Sequence, residues 1–268
     1  MGRFREGSRR ALRHSGGWGV VGGALLLFVH AACDQPRTST PGRRSGEVPR
    51  SGSTAEQTPT VRVALHEHLR SVLARSSVRL DPAELGDAAV VMLTEPTSVV
   101  YDDPRRPGHK FVLGTGRFVA INQAAGWVYG VNATPQDRAT TIQETFAVAR
   151  RLERDIAATA WERDTAPPWR ATDDTIAVWV RGEDEALPIA RFTAGPAEVV
   201  ITLERTGAPT PSERLLGKTA ETFYVNVGIT DMSRLEAYQA RVLRARRARG
   251  SGAEPLRLSA FMADTTPP

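Results

Sequence analysis

The stretch that sets the fold is GWVYGVNA at 126–133, followed by TPQDRATTIQETFAVARRLERDIAATA at 134–160. The first part reads as a strand, with Trp127, Tyr129 and Val131 recurring at every second residue on one face. The second opens on Thr134-Pro135-Gln136-Asp137, where threonine suits an N-cap, proline the first helical position and an acid the third. A helix is therefore expected from residue 135 to about residue 160. Ile142, Phe146, Ala149, Leu152 and Ile156 form one apolar stripe along it, while Arg150, Arg151, Glu153, Arg154 and Asp155 form a charged face. Such a stripe needs an apolar surface to cover, and strands on both sides supply one.

Upstream, residues 110–113 and 117–122 flank Gly114-Thr115-Gly116, a short glycine-containing connection suited to a hairpin. Downstream, residues 175–181, 187–193, 198–204 and 223–229 read as strands, the last as an alternating FYVNVGI. Thr210-Pro211-Ser212-Glu213 repeats the helix-start signal, and Ser233-Arg234-Leu235-Glu236 reads as a capping box for a final helix that stops before Gly250. At the front, Val63, Leu65, Leu69 and Leu73 predict a helix over 61–74. Residues 83–95 fit either helix or strand, and DDPRRPG at 102–108 is a loop. Strands clustered between helices that do not look like regular crossovers describe an α+β domain. Its mostly antiparallel sheet carries helices on one face.

The chain of 268 residues has a net charge of +5. Five arginines against Glu6 put +4 of it in residues 1–32, leaving +1 for everything after. The body is nearly neutral, which argues against a nucleic-acid partner. Cys33 is the single cysteine, so the chain holds no internal disulfide and no multi-cysteine metal site.

Arginines as far as Arg13 precede an apolar run at 19–29, and His30, Ala31, Ala32 and Cys33 follow. A positive segment, a short apolar segment and small residues make a secretory signal, too short for a comfortable bilayer span. Ala31-Ala32-Cys33 resembles the lipobox of bacterial membrane lipoproteins, with His30 where leucine is usual. The resemblance covers residues 1–33. It implies that Cys33 is acylated and anchors the chain to a membrane of the cell envelope; plain cleavage after Ala31 would leave a free thiol instead. Ser8-Arg9-Arg10-Ala11-Leu12 also resembles a twin-arginine export signal. Residues 34–60 carry four prolines and one large aliphatic residue, Val48, and should remain a disordered tether spanning on the order of 30 Å. The expected organisation is a signal at 1–32, the acylated cysteine and tether at 33–60, one domain at 61–262 and a short disordered tail at 263–268.

Residues with chemical potential are few. His66-Glu67-His68 has a spacing that splits two ligands to opposite sides of a helix, so both histidines read as surface residues. His109 reads as a loop histidine. Asp102-Asp103, Asp173-Asp174 and Glu183-Asp184-Glu185 lie in turns and read as solvated. Glycine-rich phosphate loops and nucleophile elbows are missing from the sequence. Two features suggest partner contact. One is the WERDTAPPW segment with Trp161 and Trp169, and the other is the basic end of the last helix with Arg244, Arg246 and Arg247. No catalytic residue, cofactor or metal is assigned. The expected function is a non-enzymatic accessory, binding or assembly module, held at a membrane and meeting an envelope protein. An envelope hydrolase with unpaired acids, or a carrier of a small ligand, is the alternative.

Overall fold

The computed structural model describes residues 58–80, 85–166, 168–169, 171–182, 184–206, 221–250 and 256–267. In chain order these give β1 (Thr60–Val63), α1 (Leu69–Ala74), β2 (Ala88–Leu93), β3 (Thr97–Tyr101), β4 (Phe111–Gly116), β5 (Phe118–Ala124) and β6 (Trp127–Thr134). They continue with α2 (Ile142–Ala157), β7 (Glu162–Asp164), α3 (Asp173–Arg181), β8 (Ala186–Ala194), β9 (Ala197–Arg205), β10 (Phe223–Thr230) and α4 (Leu235–Arg249). Cys33 and the signal, residues 34–57 of the expected tether and the Thr210 helix start lie outside the described residues; residues 58–60 are described, and Thr60 of β1 already pairs with Ser98 of β3.

Seven strands form one antiparallel sheet in the order β2-β5-β6-β10-β9-β8-β7. A second sheet, β1-β3-β4, pairs β1 with β3 in parallel and β3 with β4 antiparallel. The architecture is the α+β layering that the strand clusters imply. In β10, Phe223, Val225, Val227 and Ile229 are buried, while Tyr224, Asn226, Gly228 and Thr230 are half-buried. That period of two is the mark of a sheet covered on one face. The covering layer is α2 with the smaller sheet. Ala149, Leu152 and Ile156 share a core with Val199, Ile201, Val225, Leu113 and Val61.

Several elements depart from expectation, each for a local reason. The α2 helix begins at Ile142 under a capping box made by Thr141 and Glu144, and Thr134 belongs to the end of β6. Two capping signals compete along this segment. The earlier one loses because Thr140 exchanges both backbone hydrogen bonds with Phe223 at 2.9 Å, and the Gln136 side chain accepts from the Val225 N–H at 2.6 Å. Extended pairing with β10 thus holds the segment out of a helix. Residues 175–181 are helical as part of α3, not a strand. Thr172 and Thr175 form its capping box, and Ile176 and Trp179 are buried three apart while Val178 is exposed.

Residues 61–63 belong to β1, and the first helix is only α1. Between 83 and 95, the described part is strand β2. Gly114-Thr115-Gly116 does not make a hairpin: β4 pairs with β3, whereas β5 pairs with β2 and β6, so the chain crosses between sheets there. Gly114 sits at φ 107°, where the β3–β4 register shifts, so a bulge explains this glycine. A second register shift between β5 and β6, at Asn122 and Gln123, breaks the expected common face of β6. Trp127 packs beside Ala124, Tyr129 and Tyr238, whereas Val131 belongs to the main core. The expected capping box of α4 is also not formed: Asp231 accepts from the Ser233 N–H at 2.9 Å instead.

The charged face of α2 is less idle than its sequence suggests. Glu153 is buried, pairs with Arg150 at 2.6 Å and also pairs with Arg163 of β7. Arg150 lies 4.7 Å from the Phe146 ring centroid and donates to the Ala171 carbonyl at 2.8 Å. Phe146 and Ile142 are only partly buried at the rim of the core. Leu152→Ala and Ile156→Ala should therefore each cost about 2–5 kcal/mol in urea unfolding, with Phe146→Ala below them. Arg150→Ala should cost about 1–2 kcal/mol, well above an ordinary surface change, because it leaves Glu153 half-paired.

Candidate functional site

A group of titratable side chains gathers where the β1–α1 turn, the end of β10 and the start of α4 meet. His66 stands in the turn at φ 54°, a left-handed conformation uncommon for a residue with a side chain. Its N–H donates to the Val128 carbonyl at 2.7 Å, and Val128 returns a bond to Glu67 at 3.0 Å, so β6 holds the turn in place. The imidazole lies between two buried groups. Nδ1 is 2.7 Å from the Tyr238 hydroxyl, and Nε2 is 2.9 Å from an Asp231 carboxylate oxygen. The carboxylate sits off the line of the ring N–H, so the contact is close but not well directed.

The protonation state follows from these partners. A carboxylate only accepts, so the neutral ring carries its proton on Nε2 and receives the Tyr238 O–H at Nδ1. Burial pushes His66 below its ordinary 6.5, and the Asp231 carboxylate opposes that only in part. Burial works against an ionised Asp231, but its bonds from Ser233 and His66 outweigh it and hold the carboxyl below the usual range. Burial pushes Tyr238 up to about 12, so it remains a phenol.

A second histidine is held as tightly. His68 caps α1 by accepting the Arg70 N–H at Nδ1, 3.3 Å away, and its Nε2 lies 3.2 Å from the Phe261 carbonyl. The Trp127 ring meets it edge-on at 5.2 Å between centroids. Gly126, at φ 82°, is required twice here: its backbone is left-handed, and a Cβ would fall 2.6 Å from His68 Nε2. Burial lowers the His68 pKa as well.

Arginines close the group. Arg105 clamps buried Asp103 through its Nε at 2.9 Å and Nη2 at 3.0 Å, and also donates to the Leu65 carbonyl. Asp102 takes Arg62 at 3.1 Å, Lys110 at 3.4 Å and Arg75 at 3.7 Å, and Arg75 also holds Glu67.

The string of carboxylate, imidazole and hydroxyl has the order of a proton relay. Its hydroxyl, however, belongs to Tyr238, whose accessible surface is zero and whose ring stacks on Trp127 at 6.0 Å. A substrate cannot reach that phenol without α4 moving. In this conformation the string ties three elements together.

The sequence-derived sites fare unevenly. His68 is buried and His66 half-buried, with its side chain largely covered, so neither is a plain surface residue; both lie in a turn packed against β6 and α4. Asp103 is buried against Arg105 and Asp102 is ion-paired, so neither is simply solvated. Trp161 is no exposed platform: it is buried beside Tyr101, Phe111 and His109 and donates to the His109 carbonyl at 3.0 Å. Trp169 is half-buried with Arg191 over its ring at 5.7 Å. Arg246 pairs with Asp87 through two bonds of 2.6 Å and still stays exposed, as Arg244 and Arg247 are. Arg241 donates to the Thr266 carbonyl at 2.7 Å. Tyr238 and Asp231 were not legible as site residues. The one signal was Asp231-Met232-Ser233, an aspartate two residues ahead of a serine at a helix start. Comparison with known protein families, curated proteins and solved structures returns no match for this chain.

The two histidines set a pH dependence. Their folded pKa values lie below 6.5, so the unfolded chain binds more protons as pH falls. Their contribution to stability is complete above about 6.5 and is lost as pH drops through that value toward the folded pKa values. Arg234 and Arg105 near His66, and Arg241 and Arg70 near His68, oppose protonation further. Asp103 and Asp231 titrate below 3.8, outside this window, and burial of Glu67 raises its pKa and offsets part of the loss. The urea midpoint should fall between about pH 7.5 and about pH 5. His68→Gln should flatten that fall; an unchanged slope would remove His68 from the account.

Proposed function

We propose that this protein is an exported envelope lipoprotein, acylated at Cys33, whose body is a non-enzymatic binding or assembly module. The observation that carries the reading is the placement of the chain's single cysteine. It lies directly behind a short apolar run and small residues, and ahead of a proline-, serine- and threonine-rich stretch. Acylation of a residue so placed would hold the body near a membrane surface, with residues 34–60 giving it reach on the order of 30 Å. Exposed Arg244 and Arg247 on α4 would suit an anionic surface or partner there, each basic residue contributing about 1 kcal/mol close to anionic lipid.

The body's chemistry supports a binding role over a catalytic one. The His66 ring accepts from Tyr238 and lies against Asp231, both buried. Asp103 is likewise engaged by Arg105. A base packed this closely between two side chains of the fold leaves little room for a reacting group.

Growth of the expressing bacterium with a labelled fatty acid tests the anchor. The wild-type chain should carry label and sediment with membranes, and Cys33→Ser should carry none. Label retained by Cys33→Ser would contradict acylation at that residue.

A further inference from the structure

We infer that β2 is a self-association edge, by which a second copy of this chain adds its own β2 antiparallel and joins two seven-stranded sheets into one. The inference stands apart from export and acylation, since it rests on the folded body alone.

Among the described residues, β2 pairs with β5 on one side only. The segment around Arg257 covers the neighbouring backbone just as far as Asp87, through Asp87 N–H to Leu256 O at 3.2 Å and Leu258 N–H to Leu85 O at 2.7 Å. From Ala88 to Leu93 the far edge has no strand beside it among the described residues. An open edge is usually guarded by lysine, proline or an inward-pointing charge. This one reads AAVVML, with none of them. Val91 and Leu93 face the core, whereas Val90 is 41% and Met92 46% exposed. Across the same face, Met92 lies opposite half-buried Ala120 and Val90 opposite buried Asn122 of β5.

The pattern is self-complementary. A two-fold axis through Val91 sets Val90 opposite the second copy's Met92, and Met92 opposite its Val90, so all four exposed side chains are covered in one step. The ends match in charge as well. Arg246, held on Asp87 at the N-terminal end of β2, is 54% exposed along its side chain. Glu95, just beyond the C-terminal end, is exposed too. Antiparallel pairing brings each Arg246 to the second copy's Glu95. Parallel pairing would separate them. A six-residue edge is smaller than a standard interface, so a weak dimer that forms only as concentration rises is expected.

Sedimentation equilibrium on the full chain carrying Cys33→Ser, in mild detergent, tests both the association and its register. This parent should form dimers as its concentration rises. Val90→Lys/Met92→Lys places lysine against lysine across the axis and should abolish the dimer, leaving circular dichroism and melting temperature unchanged because both side chains already face solvent. Val90→Lys/Met92→Glu places lysine against glutamate and should restore dimers to at least parental strength. Three results would overturn the inference. These are a parent that remains monomeric throughout, a double-lysine variant that associates as well as the parent, and a lysine–glutamate variant no stronger than the double-lysine one.

Discussion

The Asp231 carboxylate is the contact on which the arrangement around α4 depends. One oxygen receives the Ser233 N–H and turns the chain from β10 into α4. The other lies against His66, which fixes the turn between β1 and α1. Tyr238, a residue on the first turns of that same helix, closes the string from the opposite side of the ring. One buried anion thus couples an edge strand of the small sheet, a central strand of the large sheet and the last helix. Buried charge is expensive unless paired, and here the pairing partners are the elements that must be brought together.

The rest of the domain is a one-sided sheet with a lid. α2 and the three-stranded sheet cover its inner face, and Glu153 pins α2 to β7 through Arg163. The outer face is half-buried and carries small or polar residues such as Asn132, Asn226, Gly228 and Thr202. Solvent is acceptable against such a face. It is less acceptable at β2, where the exposed side chains are Val90 and Met92 and the backbone edge has no partner strand among the described residues. The same sheet therefore has a tolerant face and a vulnerable rim, and the geometry places any association on the rim.

Much of the α+β layering was legible because it rests on period. The alternation of β10 and β9 and the apolar stripe of α2 are direct consequences of burial on one side. What the sequence could not decide were competitions settled by tertiary contacts. Thr134 and Thr141 both offer a helix cap, and only the pairing of Thr140 with Phe223 chooses between them. Residues 175–181 are β-branched enough for a strand, yet the Thr172 cap and the burial of Ile176 and Trp179 make them a helix. The His66 group was illegible for a plainer reason. Its members lie 165 and 172 positions apart in the sequence (Asp231 and Tyr238 from His66), so no local spacing joins them. The lone signal of function, Cys33 behind its apolar run, concerns where the protein sits more than what its body does.

The central claim is that Asp231, His66 and Tyr238 act as one clasp. A double-mutant cycle of Asp231→Asn and Tyr238→Phe, read as unfolding free energy in urea, measures it most directly. The two side chains act through the same imidazole, so their effects should be non-additive, with a coupling of at least about 0.5 kcal/mol. Strict additivity would contradict the clasp and leave two separate contacts in its place.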